Sequence, residues 1–107
     1  MKRYETVKSK RDFDYIIKNG KKYQNKHISV FELKNKEEIA LFGIAVSKKL
    51  GNAVFRNKKR RQIRCILDKY KYEFKNKHSY IIILKEAGSK ISYKILEESI
   101  KNLLKEV

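Results

Sequence analysis

Apolar positions recur at helical spacing in three stretches and gather in short strand-like runs in three others. Phe13, Ile16 and Ile17 share one face of a short helix, which Ser9 can cap with Asp12 in the box position, and which Gly20 can close. His27 to Leu33 reads as a strand rich in β-branched and aromatic residues. Lys34 to Glu38 is polar enough for a turn, and Ile39 to Ser47 is a second apolar run. Together they predict an antiparallel hairpin. From Ala53 to about Tyr72 the pattern is helical, with Asn52 as its cap. Tyr80 to Leu84 is continuously apolar, as in a strand buried on both faces. Ser92 can cap a last helix whose stripe is Leu96, Ile100, Leu103 and Leu104. The predicted order is α-β-β-α-β-α in one α+β domain over residues 1–107. The second and third strands, joined through a helix, are candidate parallel neighbours. Helices packed on one face of a small mixed sheet would leave its other face open.

Charge changes the picture. The 107 residues carry 28 Lys and Arg against 12 Asp and Glu, a formal net charge of +16. Self-repulsion on that scale opposes folding, and a polyanionic partner gives a reason to keep it. The apolar runs are far too short to cross a bilayer, and residues 1–9 carry no apolar stretch of the secretion-signal kind. Nucleic acid rather than a membrane is therefore the expected partner, and the cytoplasm the expected location. The single Cys65 excludes an internal disulfide. With His27 and His78 it offers no metal-ligand spacing.

The basic residues concentrate on the second helix. At 100° per residue Arg56, Arg60 and Arg64 form one ridge, which Asn57, Lys58 and Arg61 continue around a polar arc of roughly 200°. Phe55, Ile63, Ile66, Leu67 and Tyr70 fall opposite, with Lys59 near the apolar side. No acid is interleaved between Glu38 and Asp68. A solvated helix face more often alternates signs, whereas an unbalanced arginine ridge suits phosphates and base edges.

Val46-Ser47-Lys48-Lys49-Leu50-Gly51-Asn52-Ala53-Val54, then Arg56-Asn57, Lys59-Arg60-Arg61 and Arg64, resembles the signature of the bacterial ribonuclease P protein family. Lys58 departs from it, standing where the family usually has Arg. The resemblance extends over nearly the whole chain. Ile17 stands where a second aromatic is common and Lys85 where Arg is common. The resemblance implies a ribosomal-protein-like α+β fold with a left-handed crossover between parallel strands. It also implies a protein subunit that assists a catalytic RNA, one protein per RNA. That RNA removes the 5′ leader of precursor tRNA using magnesium ions bound mainly by itself. Lys48, Lys49, Asn52, Arg56, Asn57, Lys58, Lys59, Arg60, Arg61 and Arg64 would then meet the catalytic RNA. Phe13, Ile17, Phe31 and Lys85 would line a groove for the leader.

Other readings stand beside this one. Phe13 and Phe31 read equally as plain core aromatics. The acids are scattered, so no catalytic residue and no protein metal site is assigned. The alternative function is a ribosomal or assembly protein that binds structured RNA.

Overall fold

The computed structural model describes residues 5–107. The expectation made on residues 1–9 therefore lies partly outside the described residues. The first helix, α1, spans Lys10–Asn19 and is capped by Ser9, whose Oγ accepts from the Asp12 amide at 3.1 Å. Its last turn closes at Gly20, whose amide donates to the Ile16 carbonyl. Gly20 is needed for space: an added Cβ would lie 2.5 Å from that carbonyl oxygen and 2.8 Å from the Glu32 oxygen.

Four strands follow among the described residues: β1 (Lys21–Gln24), β2 (Ile28–Lys34), β3 (Leu41–Ala45) and β4 (His78–Leu84). Their order across the sheet is β1-β2-β4-β3. The helical order expected from the sequence is kept, with one addition, the short polar strand β1.

The expected hairpin between residues 27–33 and residues 39–47 does not form. β4 inserts between β2 and β3, pairing antiparallel with the former and parallel with the latter. The physical reason lies in burial. Tyr80, Ile81 and Ile82 are fully buried, so this run takes a central place with a strand on each side. The parallel pair β3–β4 is joined through the long helix α2 (Ala53–Tyr70), the crossover expected from the family. The other edge of β3 is met by the segment before α1. Thr6 bridges to Phe42, and the Val7 amide donates to the Phe42 carbonyl at 2.9 Å.

One sheet face carries Ile28, Val30, Phe42, Tyr80, Ile82 and Leu84. Against it pack α2, through Ile63, Ile66 and Leu67, and α3 (Tyr93–Leu104), through Leu96, Ile100 and Leu103. Phe42, Phe74 and Tyr80 form an aromatic cluster there with ring centroids 4.8–5.8 Å apart. The caps of these helices are those read from the sequence. Asn52 Oδ1 accepts from the Phe55 amide, and Ser92 Oγ from the Ile95 amide.

The opposite face is not left fully open, as a one-sided arrangement would require. α1 packs across it on β2 and β4. The reason is Phe13 and the buried Ile16, which need an apolar floor that Ile81 and the bare backbone of Gly43 supply.

Candidate RNA-binding surface

α2 presents its basic residues outward by simple helical geometry. Ile63, Ile66 and Leu67 fix its inner face, so Asn57, Lys58, Arg61 and Arg64 stand exposed and Arg56 and Arg60 half-buried. Arg60 donates to Asn57 Oδ1 at 2.8 Å, which holds its guanidinium along the ridge. Arg56 Nε is buried and makes no hydrogen bond among the described residues. Among the described residues, no carboxylate lies within ion-pairing distance of these four arginines. Asn52 is exposed beside them, and its side chain is engaged as the helix cap. Lys48 and Lys49 are exposed on the short 3-10 turn before the helix.

Lys59 corrects the sequence reading. It is only 6% exposed, and its Nζ donates to the Ile91 carbonyl at 3.0 Å. The ammonium also lies 5.8 Å from the centre of the Phe55 ring. Burial, and secondarily Lys58, lowers its pKa. Its angular position on the apolar side decides this: it ties α2 to the loop before α3 and does not belong to the outer surface.

The ridge turns a corner. Arg60 and Arg64, with Lys8 and Lys10, line a cleft of about 410 Å³ whose inner wall is Phe13, Gly43 and Ile44. No acid lines this cleft. Sequence reasoning did not find Lys8 and Lys10. Nothing local to them signals that the segment before α1 runs beside β3.

Phe31 belongs to the same sheet face, further from α2. Gly43 and Phe31 are both register partners of Ile81, so the three lie in one lateral row. Phe31 is half-buried, as is Ile17 on α1. Lys85 sits at the end of this face, and its Nζ donates to Gln24 Oε1 at 3.2 Å and to the Asn25 carbonyl at 2.9 Å. The structure thus joins Phe13 to the arginines of α2, sets Phe31 two strands away, and fastens Lys85 to the β1–β2 turn.

No group of three or more His, Cys, Asp or Glu side chains comes together among the described residues. No helix of the described residues is long and apolar enough to cross a membrane.

Fold and surface define a small basic α+β domain with an acid-free arginine face beside an apolar-floored cleft. The family model for ribonuclease P matches residues 1–107. The ribonuclease P protein component of Streptococcus agalactiae is 34% identical over 105 residues, covering 98% of this chain and 95% of that one. The solved ribonuclease P protein of Staphylococcus aureus superposes with a TM-score of 0.88 at 32% identity, covering 95% and 94% of the two chains. That of Thermotoga maritima does so with a TM-score of 0.87 at 31% identity, covering 96% and 97%. The chain belongs to the ribonuclease P protein family, the protein subunit of an enzyme of tRNA processing.

Proposed function

We propose that the outward face of α2 binds the catalytic RNA of ribonuclease P, and that the cleft beside it receives the single-stranded 5′ leader of precursor tRNA. The observation that carries this reading is the shared position of Arg60 and Arg64: they end the basic ridge and also wall the cleft over Phe13. A duplex or folded RNA lying along α2 would deliver an adjoining single strand into that cleft. Guanidiniums without internal carboxylate partners suit phosphates. An aromatic ring on an apolar floor stacks on unpaired bases whatever their sequence, at about 1–3 kcal/mol per base.

Bond breaking is assigned to the RNA. The scattered carboxylates of the described residues do not make a donor set for magnesium. Magnesium would then be bound mainly by the RNA. The protein contributes affinity for the substrate and reduces the RNA's demand for cations. One protein per RNA, acting in the cytoplasm, completes the reading.

The test is precursor-tRNA cleavage at limiting magnesium with protein alone, catalytic RNA alone, and both. Cleavage only when the two are combined supports the proposal. Cleavage by protein alone overturns the division of labour. Tight RNA binding with no gain in cleavage favours a ribosomal or assembly protein instead.

A further inference from the structure

The lateral row of Gly43, Ile81 and Phe31 does not stop at Phe31. The register runs Gly43 to Ile81, Ile81 to Phe31, and Phe31 to Lys22, one residue from each of four strands. Residues paired directly across a sheet point to the same face. Lys22 therefore stands on the groove face, on the edge strand β1. Its Nζ lies over the Phe31 ring, 5.7 Å from the centroid. Lys22 is exposed, and among the described residues no carboxylate pairs with it. Lys85, the other cation at this end, is already held by Gln24 and Asn25.

We infer that Lys22 is a further leader-binding residue, contacting a backbone phosphate of the nucleotide whose base stacks on Phe31. The inference rests on the groove reading given above. In the free protein the ammonium covers the aromatic face by a cation–π contact. An incoming base takes that face, and the flexible lysine stem swings the charge outward to the phosphate on the same nucleotide. The row spans three interstrand spacings, roughly 14 Å; Ile81 in its middle is buried under α1, so half-buried Phe31 and exposed Lys22 form its accessible end.

The test uses the protein assembled with its catalytic RNA. Affinities are measured for precursor tRNA with a full leader, with a one-nucleotide leader, and for mature tRNA, using wild type, Lys22→Ala, Lys22→Arg and Phe31→Ala. Loss of one single-strand phosphate contact lowers the salt slope by about 0.7 and weakens binding about fivefold at 0.1 M salt. We expect Lys22→Ala to show that loss with the full leader only, and Lys22→Arg to restore it. Unchanged affinity and slope in Lys22→Ala, with Phe31→Ala impaired, overturns the inference and leaves the groove reading intact. Both variants binding like wild type overturns the groove reading as well. Equal losses on mature tRNA place Lys22 outside leader recognition and also overturn it. Because Lys22 is exposed, unchanged thermal unfolding serves as the folding control.

Discussion

The ring of Phe13 lies against the backbone of Gly43, so closely that a methyl group there would come within 2.9 Å of its Cε2 and 2.6 Å of Ile81 Cδ1. Gly43 thus seats α1 on the sheet and sets the depth of the cleft. Gly43→Ala should push Phe13 and Ile81 off their positions and destabilise the fold by about 1–3 kcal/mol, the usual range for overpacking. Leader affinity should fall while catalytic-RNA binding holds. Denaturant unfolding and the two binding assays check this, and wild-type stability together with wild-type leader affinity would refute it.

Lys59 should behave unlike its neighbours. Lys59→Met should leave RNA affinity unchanged and shift stability by within about 1 kcal/mol, because an apolar chain of similar volume replaces a buried charge. The folded-state pKa lies below the unfolded one, so the unfolded chain binds more protons between them. Its contribution to stability therefore rises with pH through that window, up to the ordinary lysine value of about 10.4. The variant should lose this rise. Denaturation curves across the alkaline range test it.

Tyr80 should give the opposite slope. Its hydroxyl accepts from the Lys75 amide at 3.0 Å, and burial pushes its pKa well above the ordinary tyrosine value. The folded state then holds a proton that the unfolded chain releases above about pH 10, so stability falls as pH rises past that point. Tyr80→Phe should abolish that fall and cost about 1 kcal/mol at neutral pH for the lost hydrogen bond. Comparing the two variants separates the opposing slopes.

Arg60→Glu tests the corner where ridge and cleft meet. It reverses one charge and removes the bond to Asn57, without touching the core. Catalytic-RNA affinity should fall at least about tenfold at 0.1 M salt. Circular dichroism should remain that of the wild type. A variant that still binds normally would move the RNA contact off this ridge.

What the sequence disclosed was local. Ser9, Asn52 and Ser92 cap their helices as read, because a cap is settled by residues three apart. The apolar arc of α2 placed Ile63, Ile66 and Leu67 inside by angle alone, and the same angle explains the burial of Lys59. Long-range choices were not legible. A hairpin of residues 27–33 with residues 39–47 is the simplest pairing on paper, but β4 displaces it from more than thirty residues away, since its apolar run gains most from a central place. Strand β1 was missed because Lys21, Lys22 and Gln24 are polar and exposed, with Tyr23 alone turned toward the core. With β1 unseen, Lys22 had no visible relation to Phe31. The resemblance to the family supplied the roles proposed for Phe13 and Phe31 and the particular RNA proposed for the arginines, whose fitness for phosphates the charge pattern already indicated.

The proposed RNA contact is a grip of the α2 arginines on a folded polyanion, and salt reads that grip most directly. Affinity of the purified protein for the ribonuclease P RNA should be measured from low to high salt. Neutralising about six phosphates predicts that log affinity falls against log salt with a slope near −4 to −5. A slope near zero would contradict the account, whatever the affinity at any one salt concentration.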